Sequence, residues 1–435
     1  MPSGISFCLS INIVRDSITY MEIYRGYIVY SKKSKELVEI TNGYIIVNNG
    51  VIQDVFNELP KEYKNHKITD FGNGVIIPAF TDLHVHAPQY PNRGIAMDAL
   101  LYDWLNQYTF PLEAKYKDEE FFKKVYSAFV NDLVKHGTMH ASVFATIHNP
   151  ATDYLVNALE AKGIKSYVGK VNMDKDSPDI LIEDTKQSLI DTETFIKKHI
   201  NNKYAKPILT PRFAPTCSFE LLKELGKLAD KYDIGCQTHI VESLWEKEEA
   251  KKCFKDCRCD MQIYEEAGLL KHKPFIAAHF IFPSEEDLAL LHKCEGYAVQ
   301  CPDATTNVIA GIMQTGKLLD TGTNLAIGSD ISAGSYLGIY RQVASAVRLS
   351  KLKAFYEPDN RTITFQEAFY MATKSSGALF GKVGSLEKGY YFDALVIDDL
   401  EDDFIKLKPS EVVERFCYSG EVNNIKHRFL RGEEI

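Results

Sequence analysis

The stretch PAFTDLHVHAPQY, residues 78–90, decides the fold. It begins within the apolar, β-rich segment Val75–Phe80, and two histidines, His84 and His86, follow that predicted strand. Alternate side chains of an extended segment point to the same side, so these two imidazoles can bind one metal ion. The glycine fingerprint that a dinucleotide-binding sheet carries after its first strand is absent here. The stretch therefore predicts an α/β fold whose first strand leads to a metal site.

The centre of the chain alternates between β-rich and helical patterns. Phe122, Val125, Phe129 and Leu133 recur on one helical face, and Ser218 is expected to cap a second helix. Eight strands alternating with helices are typical of a closed parallel barrel, and we predict a (β/α)8 TIM barrel over residues 76–385. Periodicity alone leaves an open, doubly wound sheet as the alternative. The predicted strands are Val75–Phe80, Thr138–Ile147, Ile164–Met173, Pro207–Phe213, Ile234–Ile240, Pro274–Phe280, Gly296–Cys301 and Asn324–Gly328.

Both ends of the chain have a different pattern. Residues 17–57 form short segments rich in Ile, Val and Tyr, broken by Asn-Gly and Asn-Asn-Gly, which suit tight hairpin turns. The tail continues in the same way with LEKGYYFDALVID and CYSGEVNNIKHRFLRGEEI, and we expect no helix of comparable strength at either end. We therefore predict a small β-sandwich built from both termini, residues 1–75 and 386–435.

Composition limits the possible partners. The 435 residues carry a net charge of −9, which disfavours nucleic acid as a partner. No apolar run reaches the length of a membrane span, so we expect no membrane partner. Nine cysteines without a repeating framework fit a reducing compartment, and we predict a cytoplasmic protein.

Chemistry-bearing residues fall at the ends of the predicted strands, where barrel active sites lie. His239 ends strand five, His279 ends strand six and Asp330 follows strand eight. We predict His84, His86, His239 and Asp330 as ligands of one Zn²⁺ ion per chain, with Fe²⁺ also possible.

Three of these residues are expected to act in catalysis. His279 would hydrogen-bond a water at the metal or a developing oxyanion, and Asp330 would orient the nucleophile. Glu242, three residues beyond His239, is predicted to shuttle the proton of that water, since metal-dependent hydrolysis needs a carboxylate beside it.

The motifs PAFTDLHVHAPQYPNRG, HGTMHASVFATIH, GKVNMD, TPRFAPTCS, QTHIVES and GSDISAG, in this order, resemble the amidohydrolase superfamily. Residues 86–90 and 211–213 resemble the branch whose members deaminate guanine with one zinc ion. The resemblance implies that Gln89 and Arg212 read the purine, with Phe213 and His239 beside it, and that the chain is a homodimer. An Arg fork can bind the O6 of guanine, and an amide can serve donor and acceptor edges alike.

Two residues bear on this assignment. Asp303, in CPDATTN, stands where the family more often has Asn and puts the support of the pocket from strand seven in question. Lys170 could be mistaken for the bridging lysine of members with two metals, but we expect no lysine on strand four, which favours one metal.

Other functions remain open at this point. They are deamination of a thioadenosine or adenosylhomocysteine, of cytosine or of a triazine, and a catalytically silent barrel that only binds. The His-x-Glu and Pro-Cys-x-x-Cys signatures of base-flipping deaminases are absent from the sequence.

Overall fold

The structure is a computed structural model that describes residues 21–398, 400 and 404–435. The first twenty residues of the predicted sandwich therefore lie outside the described residues. The strands are β1 (Met21–Lys33), β2 (Glu36–Asn48), β3 (Val51–Phe56), β4 (Ile68–Pro78), β5 (Phe80–His86), β6 (Thr138–Phe144), β7 (Lys165–Gly169), β8 (Val171–Asn172), β9 (Ala205–Pro207), β10 (Thr210–Pro211), β11 (Cys236–Ile240), β12 (Phe275–His279), β13 (Tyr297–Gln300), β14 (Asn324–Ile327), β15 (Ala394–Ile397), β16 (Ile425–Leu430) and β17 (Glu433–Glu434).

Strands from both ends of the chain form one seven-stranded sheet. Its order is β17-β16-β15-β4-β1-β2-β3, so a segment from the tail lies beside one from the start. The Asn49-Gly50 turn joins β2 to β3 with positive φ at both residues, as the sequence predicted for a tight hairpin. The Asn42-Gly43 pair is no such turn: it makes a bulge inside β2 opposite β1.

The central strands form a closed ring. One parallel run joins β5, β6, β7 and β9, and a second joins β11 to β14. A bridge between Leu209 and Cys236 connects the two runs on one side. On the other side the N–H of Asp330 donates to the carbonyl of His84 at 2.8 Å. The ring confirms the predicted TIM barrel and excludes the open sheet.

The first barrel strand differs from its prediction. Val75–Pro78 ends β4 of the seven-stranded sheet, paired with β1 and β15, and the barrel begins only at Phe80. The chain crosses between the two sheets at Ala79, whose N–H donates to the carbonyl of Asp393. A continuous apolar run looks the same in either buried sheet, which is why the sequence assigned it to the wrong one.

Helices surround the barrel. Phe122, Val125, Phe129 and Leu133 are all buried on one face, and the Ser218 hydroxyl accepts the N–H of Leu221, as predicted. The helices are α1 (Leu101–Trp104), α2 (Phe110–Glu113), α3 (Glu119–Lys135), α4 (Asn149–Lys162), α5 (Thr185–His199), α6 (Phe219–Tyr232), α7 (Leu244–Cys253), α8 (Asp260–Glu266), α9 (Glu285–Lys293), α10 (Pro302–Asn307), α11 (Thr315–Asp320), α12 (Ile339–Tyr356), α13 (Phe365–Tyr370) and α14 (Pro409–Ser419).

The expectation of a helix-free tail was wrong. α14 lies between β15 and β16 and buries Val412, Val413 and Phe416 in the largest core cluster. Apolar residues three and four apart produce this face, so the helical signal is present in the sequence itself. Within the described ranges, no helix is long and apolar enough to cross a bilayer.

A long excursion separates β5 from β6. Residues 87–117, here called the rim segment, contain the short helices α1 and α2, a π-helical turn at Leu105–Thr109 and 3-10 turns at Ala87–Asn92 and Ala114–Lys117. Several of its side chains reach the cleft at the carboxyl ends of the barrel strands. The rim segment therefore builds part of the site.

Candidate active site

The histidine pair lies within the first barrel strand. His84 and His86 belong to β5 itself, whereas the sequence analysis put them after the strand, because it ended the strand too early. Alternation along β5 turns both imidazoles inward, and the His84 side chain is 0 % exposed. The Nε2 atoms of His86 and His239 lie 2.9 Å apart.

Asp330 meets the same group. Its Oδ1 atom lies 3.2 Å from Nε2 of His84 and 3.5 Å from Nε2 of His86. It follows β14 by three residues at a positive φ of 47°. Asp82, which the sequence did not mark, links β5 to the segment that leads to Asp330. Its Oδ1 accepts the N–H groups of His84 and Ser329. Burial raises the pKa of Asp82 to about 7.

The imidazoles are held in a form that can bind a cation. Burial, and then the neighbouring His84, lower the pKa values of His86 and His239 well below the usual range, so both rings are neutral. His239 donates its Nδ1–H to the carbonyl of Arg212 at 2.6 Å, which leaves the Nε2 lone pair free. Neutral imidazoles with free lone pairs can act as metal ligands.

Two overlapping groups in the described chain have ligand atoms within 4.8 Å of one another. One is His84, His86 and His239, and the other is His84, His279, Cys301 and Asp330. The histidines and the aspartate of these two groups are here called the ligand cluster. Three imidazole nitrogens and one carboxylate are a donor set that suits Zn²⁺ or Fe²⁺, so the residues fit the metal that the sequence predicted. Cys301 was not foreseen as a neighbour, since nothing in CPDATTN marks it.

The two predicted proton-handling residues lie beside this cluster. Oε1 of Glu242 is 3.7 Å from Nε2 of His279, which is 3.8 Å from Oδ2 of Asp330. Burial raises the pKa of Glu242 well above its usual range, and the carboxylates of Asp330 and Glu246 add to the shift. Burial lowers the pKa of His279 to about 4, so this ring is neutral.

Glu242 owes its position to a turn after β11. Val241 has a positive φ of 48°, and the buried Glu246 carboxylate accepts the N–H of Glu242 at 2.7 Å. Glu246 belongs to the first turn of α7, whose N-cap is Ser243. The helix start therefore fixes the predicted proton shuttle.

The predicted purine-reading residues line the same cleft. Arg212 and Phe213 follow β10, and Gln89 comes from the rim segment. The rim segment and the start of α7 add both tryptophans of the chain, Trp104 and Trp245, which sequence reasoning missed. The full lining is His86, Gln89, Leu101, Trp104, Leu105, Arg212, Phe213, His239, Glu242, Ser243, Trp245, Glu246, His279, Asp330 and Ala333.

Glu113 is a further residue that the sequence analysis missed. Its carboxylate accepts hydrogen bonds from Arg212 Nη1 at 2.8 Å and from Gln89 Nε2 at 2.9 Å. It is absent from the cleft lining, so it contacts the purine-reading side chains from behind.

Asp303 lies away from the cleft lining. Its Oδ2 accepts the N–H of Ser335 at 2.6 Å, in the loop that follows Asp330. The residue that departs from the family pattern thus supports a loop.

Lys170 is buried directly after β7, the third strand of the barrel, and it belongs to neither group of ligand atoms. It donates to Glu183 at 2.5 Å and to the carbonyl of Val171 at 3.0 Å. The expectation that strand four has no lysine was wrong, since β9 contains Lys206. That lysine donates to the carbonyl of Ile200, and both lysines are therefore occupied elsewhere.

Known proteins resemble this chain over most of its length. The amidohydrolase family model matches residues 75–434. A guanine deaminase from Dictyostelium discoideum is 30% identical over 446 residues, covering 95% of this chain and 98% of the relative. The guanine deaminase of Homo sapiens is 30% identical over 374 residues, 82% of each chain.

A solved structure is closer in sequence. The guanine deaminase of C. acetobutylicum, determined with guanine bound in its active site, is 42% identical and superposes with a TM-score of 0.92. The match covers 96% of this chain and 100% of that one.

Proposed function

The chain belongs to the amidohydrolase family, and from that premise we propose that it hydrolyses guanine to xanthine and ammonia. The strongest support is one observation. Glu242 and Arg212 line the same cleft as His86, His239 and Asp330 of the ligand cluster. A proton shuttle, a purine-reading group and a metal site are thus within reach of one small substrate.

The proposed metal is one Zn²⁺ ion per chain, with Fe²⁺ as the other candidate. His84, His86, His239 and Asp330 would hold it, because their donor atoms converge and their imidazoles are neutral. A divalent ion at such a site lowers the pKa of water towards 7.

Glu242 then performs both proton transfers. Its carboxylate accepts a proton from the attacking water, whose oxygen forms a bond to C2 of guanine, and delivers that proton to ring N3. The remaining water proton goes to the departing amine, the bond from C2 to nitrogen breaks, and ammonia leaves. Burial raises the pKa of Glu242 above that of an ordinary carboxyl, which makes its carboxylate a stronger proton acceptor.

His279 and Asp330 orient the nucleophile. Nε2 of His279 lies within 4 Å of both Glu242 and Asp330, so a water between them can bond to all three. A neutral His279 can also donate to a developing oxyanion at C2.

Recognition of guanine would fall to Arg212, Gln89 and Phe213. Two Nη atoms of Arg212 bind Glu113, which leaves its outer N–H groups for O6 of the purine. Gln89 uses one N–H on Glu113 and keeps the other, with one lone pair, for the N1 edge. Phe213, with Trp245 at a centroid distance of 6.4 Å, would pack against the ring.

The proposal extends to the cellular context. We expect a homodimer, which the family resemblance implies, and sedimentation of the purified chain tests it. A cytoplasmic enzyme of purine metabolism is supported by the eight described cysteines, all of which are free thiols.

The deciding experiment is an ultraviolet assay of guanine conversion to xanthine, combined with metal analysis of the same preparation. Chelation should abolish turnover, and adding back Zn²⁺ or Fe²⁺ in parallel should identify the ion that restores it. Thioadenosine, cytosine and an aminated triazine form the comparison panel. Ammonia release from one of these without xanthine formation would contradict the proposal.

A further inference from the structure

Glu113 is a buried carboxylate between two purine-reading side chains. It ends α2 in the rim segment and is only 2 % exposed. Three hydrogen bonds reach it: from Arg212 Nη1 at 2.8 Å, Arg212 Nη2 at 3.2 Å and Gln89 Nε2 at 2.9 Å. Arg212 also lies over the ring of Phe110, with 5.1 Å between its Cζ and the ring centroid.

This contact balances a buried charge. Arg212 is 4 % exposed and lies near the imidazoles of His86 and His239, whose pKa values it lowers further. A guanidinium in such a place without a partner is costly, so Glu113 offsets a charge that the cleft needs for recognition.

The pairing also fixes geometry. Both Nη atoms of Arg212 bind one carboxylate, which locks the guanidinium plane and directs its other N–H groups elsewhere. Oε1 of Glu113 accepts hydrogen bonds from Nη2 of Arg212 and from Nε2 of Gln89, so one oxygen positions both purine-reading side chains.

We propose that Glu113 is a positioning residue that determines specificity for the O6 and N1 edge of the purine by holding Arg212 and Gln89 together. The inference rests on the proposed function, because it assigns a supporting residue to the same site. Glu113 touches no substrate atom itself and acts through its two partners.

The test compares guanine with 2-aminopurine, which carries the same amine at C2 and lacks O6. In Glu113→Gln the new amide must direct a donor at Arg212 or at Gln89, so one of the two is released. Guanine kcat/KM should fall about tenfold, mainly through KM, while 2-aminopurine should change less than about threefold. If Glu113 had a purely structural role, its substitution would lower kcat/KM for both substrates alike.

A double-mutant cycle sharpens this test. Arg212→Ala removes one of the two groups that Glu113 positions, so adding Glu113→Gln should lower kcat/KM for guanine by less than it does in the wild type, because only the Gln89 contact remains to be lost. Fully multiplicative losses would show that Glu113 acts independently of Arg212 and would overturn the inference.

Binding can be followed without turnover. The two tryptophans of the chain line the cleft, so their fluorescence should report guanine binding in a Glu242→Gln background. Adding Glu113→Gln there should weaken guanine binding about tenfold. Unchanged binding would contradict the proposal.

The matched control is Glu367→Gln. Glu367 lies on α13, away from the cleft, and is 1 % exposed. Its carboxylate accepts hydrogen bonds from both Nη atoms of Arg361, at 3.2 and 3.0 Å. It should lose stability like Glu113→Gln and keep wild-type discrimination between the two purines. Wild-type enzyme without guanine turnover would refute the proposed function, whereas active wild type with unchanged discrimination in Glu113→Gln would refute only the role of Glu113.

Discussion

The ligand cluster and the rim segment each line part of one cleft, and they are built by different means. The cluster stands on β5, β11, β12 and the residues after β14, and the parallel order of those strands brings its members together. The rim segment has only short helical turns and reaches the cleft through single side chains such as Gln89 and Trp104.

Their anchoring differs as well. His84 is held by backbone contacts, because the β5 residues on either side of it, Asp82 and Val85, pair with β6 and its carbonyl accepts the N–H of Asp330. The rim segment is tied to the barrel through Glu113, Arg212 and the ring of Phe110. Chemistry common to a family can be held by backbone, while selectivity rests on side-chain contacts that change more easily. Substitutions in the cluster should therefore abolish the reaction, and those at the rim should change its substrate.

The largest effect is expected from His84→Ala and His239→Ala. Each removes an inward imidazole, so metal content should fall from about one ion per chain to near zero, and guanine turnover should disappear with it. Elemental analysis and the ultraviolet assay measure both. His199→Ala is the control, a buried histidine on α5 that binds Asp153 at 2.7 Å and should keep its metal. Retained metal in His84→Ala and His239→Ala would remove these residues from the ligand set.

Glu242→Gln should come next. Glutamine keeps size and polarity but cannot accept a proton, so kcat should fall about 10²- to 10⁴-fold while metal content and Tm stay close to wild type. KM for guanine should change little, because Arg212 and Gln89 are intact. Glu249→Gln, on the helix α7 that follows Glu242 and paired with Lys252, should behave like wild type. A kcat within about fivefold of wild type would point to Asp330 as the shuttle.

Arg212→Ala should have a smaller and selective effect. It should raise KM for guanine and lower kcat/KM by about tenfold or more, equivalent to about 1.4 kcal/mol of lost binding to a charged donor. For purines without O6, kcat/KM should fall much less. The control is Arg361→Ala, which also frees a buried glutamate but lies away from the cleft. Equal losses for both kinds of purine would make Arg212 a structural residue.

Lys170→Met should leave catalysis least affected. The substitution leaves the Glu183 carboxylate without its ion-pair partner, so the free energy of unfolding should drop by about 3 kcal/mol in chemical denaturation. Metal content per folded chain should stay near one, and Lys170→Met combined with Glu183→Gln should recover part of the stability. Two tightly bound ions in the wild type, with one lost in Lys170→Met, would overturn the mononuclear site.

The sequence by itself determined the barrel and the group of residues at its ligand cluster. Alternation fixes which side His84 and His86 face, and parallel strands must end at one edge of the barrel, so His239, His279 and Asp330 converge on them. These rules are local or topological, and they hold even though the first strand was assigned too early, because a shift along β5 leaves its alternation unchanged.

Only the tertiary structure decided the rest. Glu113 and Arg212 are 99 residues apart, and no period or motif marks the glutamate within α2. Asp82 and Cys301 likewise acquire their neighbours only when the ring closes between β14 and β5. Val75–Pro78 went to the seven-stranded sheet because β1 and β15 offered it hydrogen bonds, a competition that an apolar run cannot reveal. Pairings between side chains distant in sequence depend on register and on loop paths, and these are settled by packing of the whole chain.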